Sequence, residues 1–166
     1  MKSLVLFVCL IAYPLLIHAQ SAETCFIKGM DKMTLRDFDS AEYFFNKAIE
    51  IDPEFAEAFF RRGISREKAG RIMEAFDDYS FAISIHPQAK YYNNRGIIRF
   101  VQGDNLTAIS DYDSAIVLDP EYLIAVYNKG RAYLEINEFK DGCDCMKEAY
   151  NRGLSVVKDA IDYYCN

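Results

Sequence analysis

Gly29, Ala41, Phe45, Ala48 and Pro53 return as Gly63, Ala75, Tyr79, Ala82 and Pro87, and again as Gly96, Ala108, Tyr112, Ala115 and Pro120. Five residue types recurring together at a step of 33 or 34 residues mark a stack of helical repeats. Each unit of such a stack touches only its neighbours, so the array encloses no central pocket and presents a long curved surface. Function in a chain of this kind is to be sought on a face.

Between the prolines, apolar residues recur at three and four, the period of a helix with one buried stripe. In the second repeat these are Phe59, Ile64 and Ala69 before Gly70, then Ile72, Ala75, Phe76, Tyr79, Ala82 and Ile83 before His86-Pro87. Each repeat therefore predicts two antiparallel helices joined by a tight turn. Gly70, Gly103 and Asn137 stand where the first helix must end in a left-handed residue. Asp37 and Asp104 are placed to cap the second helix with a side-chain oxygen. Asp52-Pro53, His86-Pro87 and Asp119-Pro120 stop that helix, because proline disfavours a helical residue before it. Gly29, Gly63, Gly96 and Gly130 hold the eighth slot and Ala41, Ala75, Ala108 and Gly142 the twentieth, which predicts small residues facing one another where two backbones come close.

These residues and spacings closely resemble the tetratricopeptide repeat, whose signature has Gly or Ala at slot eight, Ala at twenty, an aromatic at twenty-four, Ala at twenty-seven and Pro at thirty-two. The resemblance covers Ala22 to about Gly153 and implies an all-α, right-handed α-solenoid of about four helix-turn-helix repeats, near 22–55, 56–88, 89–122 and 123–153. The fourth repeat departs from the signature, with Met146 for the aromatic and Leu154 for the proline, so its second helix is expected to end near Gly153. Thr24, Lys28 and Asp31 make the outer side of the first helix polar, as a water-facing end requires. Val157, Ala160, Ile161 and Tyr164 form an apolar stripe that predicts a capping helix over about 155–164.

The first 19 residues read as a secretory signal: Lys2, the uncharged run Leu4 to Ile17, and a small residue at Ala19. The run is shorter than the roughly 20 apolar residues that span a bilayer and contains Pro14, so a membrane anchor is disfavoured. Cleavage predicts an exported protein, periplasmic or secreted, covering 20–166 and not inserted in a membrane. The formal net charge is −6, and loss of Lys2 leaves 18 basic against 25 acidic residues. An acidic surface of this kind disfavours nucleic acid.

Four cysteines follow the leader: Cys25, Cys143, Cys145 and Cys165. In an exported chain a disulfide from Cys143 to Cys165, clipping the cap to the last repeat, is expected, with Cys145 the alternative partner. Cys143 and Cys145 lie about 200° apart on a helix and cannot face one metal or redox site. Arg62 with Asp78, and Arg95 with Asp111, fall at levels where they can pair across the two helices of a repeat. Lys28 and Lys129 have Phe44 and Cys145 in place of that acid, which confines the pairing to the central repeats. The sequon Asn105-Leu106-Thr107 falls at an exposed turn in this reading, a candidate for glycosylation. One histidine after the leader, His86, and no nucleophile elbow or phosphate loop leave no mutually supporting catalytic set, so no enzyme, metal or cofactor is expected.

In the family, the first helices of successive repeats line the concave face. The resemblance assigns that face to Phe26, Met30, Phe60, Arg61, Ile64, Asn93, Asn94, Ile97, Tyr127, Asn128 and Arg131, with Asn94 and Asn128 at the slot that commonly bonds a bound peptide's backbone. The family's carboxylate clamp lacks its Lys and Asn residues here. The expected function is a non-enzymatic scaffold whose partner is a protein or peptide with apolar side chains. A self-assembling homo-oligomer is the alternative, and a thiol redox or metal protein a weaker one.

Overall fold

The computed structural model describes residues 21–165, so the leader expected at 1–19 lies outside the described residues. Eight of the helices among the described residues form antiparallel pairs: α1 (Ala22–Thr34) with α2 (Phe38–Ile51), α3 (Ala56–Lys68) with α4 (Ile72–Ile85), α5 (Ala89–Val101) with α6 (Asn105–Leu118), and α7 (Leu123–Glu135) with α8 (Phe139–Asn151). A 3₁₀ turn (Ser155–Val157) leads into α9 (Lys158–Tyr164). Each helix packs against its neighbours in sequence, and first helices also touch one another, α1 on α3 and α5 on α7. No strand occurs among the described residues, and the architecture is an all-α solenoid of repeats.

The turns follow the chemistry of their residues. Gly70, Gly103 and Asn137 take φ of 84°, 82° and 63°, and Arg36, which the sequence did not single out, takes 58° in the first repeat. Asp37 Oδ1 accepts from the Ser40 amide at 3.3 Å, whereas Asp104 makes no capping bond with its side chain, a correction to its expected role. Asp52, His86 and Asp119, each before a proline, are extended, with ψ of 94–96°. The α8 helix has no proline after it and ends at Asn151, with Gly153 left-handed.

Packing gives the slot-eight glycines a different purpose from the one expected. A Cβ placed on Gly29, Gly63 or Gly96 would lie 2.5–2.8 Å from a ring carbon of Phe45, Tyr79 or Tyr112 respectively. The glycine is thus a seat for the aromatic ring of slot twenty-four, and the ring is fully buried on it. Only in the fourth repeat, where Met146 replaces the ring, do two small residues meet as predicted. A Cβ on Gly130 would lie 2.9 Å from the Gly142 carbonyl oxygen. Ala41, Ala75 and Ala108, with Ala48, Ala82 and Ala115, complete the buried seam.

At the far end Val157 is buried, Ala160 and Ile161 pack against Leu134 and Met146, and Tyr164 is half out in solvent. The structure joins Cys143 to Cys165, with the two Cα atoms 5.5 Å apart across 22 residues of sequence. In a chain-entropy treatment a loop of that length contributes about 3 kcal/mol. Thr24, Lys28 and Asp31 are exposed at the other end of the array.

The ring seat yields a direct test. Gly63→Ala gains up to about 1 kcal/mol of helix propensity yet drives a methyl into Tyr79, an overpacking cost of about 1 to 3 kcal/mol. A lower urea midpoint at unchanged m-value is the expected result, and a raised midpoint would show that the ring moves aside freely.

Candidate functional site

Slot nine of the four first helices holds Met30, Ile64, Ile97 and Arg131, one residue per repeat along a single face. The three apolar members are half-buried and Arg131 is exposed. Beside them Phe26 is half-buried, its ring 5.7 Å from Phe45 and 4.9 Å from Phe55. Arg61 reaches back along α3 to Glu57, Nε to Oε1 at 2.8 Å.

Three residues assigned to the groove are instead part of the interior. Phe60 is 4% exposed, its ring 4.6 Å from Tyr91 and 5.6 Å from Tyr79. Asn93 and Asn128 are buried as well, and they bond to each other: Asn128 Nδ2 donates to Asn93 Oδ1 at 2.9 Å. Asn93 Nδ2 in turn donates to Asn94 Oδ1 at 3.3 Å. The amide expected to hold a ligand's backbone at Asn128 is therefore used to tie α7 to α5. Asn94, half-buried, is the member of this chain nearest the surface.

Glu57 is the electrostatic centre of the same face. It accepts from Lys90 Nζ at 2.7 Å and from the Tyr91 hydroxyl at 2.8 Å, so one carboxylate joins the second and third repeats. Burial alone would raise its pKa, but the hydrogen bonds from Lys90 and Tyr91, with the nearby charges of Lys90 and Arg61, outweigh it and hold the carboxyl below its ordinary value. Toward the carboxyl end, Tyr127 and Arg131 of α7 meet Ala160 and Tyr164 of the cap around a cavity of about 430 Å³.

The predicted ion pairs lie behind this face, between the helices of each repeat. Arg62 Nε donates to Asp78 at 3.0 Å, and an Arg95 amino group donates to Asp111 Oδ1 at 2.7 Å. A second arginine one turn along reaches each acid: Arg66 to Asp78 at 3.0 Å and Arg99 to Asp111 at 2.7 Å. Sequence reasoning missed both, although the spacing of four residues was available. Burial pushes the Asp78 carboxyl up against the opposing pull of Arg62 and Arg66. The slot-seven cation also reaches slot twenty-five of the preceding repeat, Arg62 to Asn46 at 2.7 Å and Arg95 to Ser80 at 3.3 Å. Lys129, with Cys145 at slot twenty-three of its own repeat, follows that second route and pairs with Asp113 of the preceding repeat at 2.6 Å. Lys28 lies over the Phe44 ring at 6.0 Å.

Cys145 carries a free thiol that burial pushes above its ordinary pKa, contrary to what a reactive thiol needs. Cys25 is free and buried in the first repeat. Among the described residues no group of three His, Cys, Asp or Glu side chains could hold a metal ion, and no helix is long and apolar enough to cross a membrane. Asn105, expected in an exposed turn, is half-buried at the start of α6, and its Oδ1 is buried without a hydrogen-bond partner.

A helical solenoid whose first helices share one open face defines the class as a helical repeat protein, an architecture that presents an extended surface to a partner. The family likeness follows from comparison with known proteins. Tetratricopeptide repeat models match residues 22–55 and 44–77. Human tetratricopeptide repeat protein 13 is 30% identical over 136 residues, 80% of this chain, although the chain spans only 15% of that protein's length. An uncharacterized protein of Methanocaldococcus jannaschii is 31% identical over 79 residues, which cover 46% of this chain and 92% of that protein. Two crystal structures of MamA share the fold at 22% identity, with TM-scores of 0.76 and 0.73, over 82% and 79% of this chain and 81% and 72% of theirs. The chain is thus similar to tetratricopeptide repeat proteins, and residues 22–77 match the repeat itself.

Two predictions separate buried from exposed electrostatics. Asp78→Ala leaves Arg62 without its acid and Arg66 with only its carboxylates on other helices, at a site 1% exposed, and is expected to cost about 3 to 5 kcal/mol. Asp113→Ala, at a half-exposed pair, is expected to cost at most about 1 kcal/mol. Urea melts of both variants at neutral pH check this, and equal losses would contradict it. The depressed pKa of Glu57 means that the folded protein binds this proton less readily than the unfolded chain. Its contribution is full above the ordinary value of 4.5 and is lost as pH falls through the folded value. Glu57→Gln is therefore expected to be less stable than the parent at pH 7, with the gap narrowing below about pH 4. A gap that widens in acid would reverse the sign.

Proposed function

We propose that this tetratricopeptide array is an exported, non-enzymatic scaffold that holds an extended segment of a partner protein along the face of its first helices. The observation that carries this reading is the slot-nine row: Met30, Ile64 and Ile97 keep part of their surface open on successive helices, while the rings around them are packed away. An isolated open apolar residue needs no explanation, but a row of them at repeat spacing on one face suits a peptide with apolar side chains. Asn94 lies beside this row and can both donate and accept toward an extended backbone. The net charge of −6 argues against nucleic acid as the ligand. Export is supported by the leader-like stretch before Gln20 and by the Cys143–Cys165 bridge, which suits an oxidising compartment.

A homo-oligomer is the second reading, favoured by Phe81 and Val117 on the second helices, which are 57% and 81% exposed. One experiment distinguishes the two. Crosslinking mass spectrometry on the tagged protein in its native cell is run beside an Ile64→Ser, Asn94→Ala, Ile97→Ser variant shown to be folded by circular dichroism. Loss of a captured partner in the variant is the expected outcome. Crosslinks to other copies alone, unchanged in the variant, would replace the groove by self-assembly.

A further inference from the structure

The slot-nine row changes character at its last member. Met30, Ile64 and Ile97 are apolar, and the fourth position is Arg131, which lines the cavity between α7, α8 and the cap. Among the described residues, no carboxylate oxygen lies within 4.0 Å of Arg131. Every other arginine of the described residues has one, except Arg36 in its exposed turn. What holds Arg131 is aromatic: its guanidinium carbon is 4.7 Å from the centre of the Phe100 ring and 5.9 Å from that of Tyr127. Rings fix the plane of a guanidinium and leave its N–H edge unused, and that edge matches the two oxygens of a carboxylate. The cap supplies the facing wall through Ala160 and Tyr164, and the cavity of about 430 Å³ has room for a side chain. Glu135 lines the same cavity one turn beyond Arg131 without touching it, so a second negative charge on a ligand would meet repulsion.

We propose that this cavity receives the side-chain carboxylate of a single Asp or Glu that follows the apolar run of a groove-bound segment, with Arg131 as the recognising cation. This assignment rests on the groove reading given above. It makes the groove directional, apolar over the first three repeats and anion-selective at the fourth. A singly charged carboxylate is favoured over a phosphate because Glu135 shares the space.

The test is a random dodecamer display library selected in parallel on the protein and on Arg131→Gln, with thermal melts to establish that both are folded. Peptides enriched on the parent are expected to carry Asp or Glu after an apolar run. A synthetic peptide from that pool should bind the parent at least about ten-fold more tightly than its Gln counterpart, a preference falling to about one on Arg131→Gln. Arg131→Lys, which keeps the charge but not the fork, should retain part of the preference and supplies the comparison if Arg131→Gln does not fold. Enrichment of apolar peptides without an acidic position, or an acidic preference unchanged in the variant, overturns the pocket and leaves the groove standing. Failure to enrich any peptide overturns both. Tighter binding of a phosphoserine peptide than of its Glu parent overturns the single-charge assignment.

Discussion

An aromatic ring seated against a bare helix backbone sets the geometry of this array. Phe45, Tyr79 and Tyr112 each occupy space that a Cβ on Gly29, Gly63 or Gly96 would fill, so the approach of the two helices of a repeat depends on the absence of that Cβ. Alanines at slots twenty and twenty-seven keep the neighbouring turns equally close. With that separation fixed, the remaining features follow in register. The slot-seven cation reaches both its own slot-twenty-three acid and slot twenty-five of the preceding repeat, and the slot-nine residues line up on one open face. In the fourth repeat the space beside Gly130 is taken instead by the Gly142 carbonyl and by Met146, which stands in place of a ring.

The polar interior does two kinds of work. Asp78 and Asp111, each held by two arginines, tie the paired helices together, and one arginine of each set, Arg62 or Arg95, also reaches the preceding repeat at Asn46 or Ser80. Buried charges of this sort contribute little net stability over an apolar core, but they penalise any register in which the cations miss their acids. A repeat protein needs such a device, because its units are similar enough to dock out of order. Glu57 acts likewise on the open side, where Lys90 and Tyr91 of the next repeat close on one carboxylate.

Most of the fold could be read from the chain, because the repeat carries its own redundancy: a ring, a glycine and a proline recurring at 33 or 34 residues leave little freedom for another topology. The face was harder. Family slots place Asn128 and Phe60 on the concave side, yet the first spends its amide on Asn93, 35 residues away, and the second stacks on Tyr91. Each contact runs between adjacent first helices, so neither can be seen within one repeat. Lys129 shows the same blindness, since a search confined to its own repeat finds Cys145 while its acid, Asp113, stands in the repeat before. Local pattern reports what a helix buries, whereas contacts between units decide which polar groups remain for a ligand.

The two ends of the array are finished by different means. The first helix simply turns Thr24, Lys28 and Asp31 to water, a solution written in side chains and indifferent to surroundings. The last is closed by α9, seven residues long and too short to persist as a helix alone, and a covalent bond at Cys165 supplements the burial of Val157. The beginning of the solenoid is therefore a property of the polypeptide, but its end is partly a property of the compartment, fixed by whether electrons are available to open one sulfur bridge.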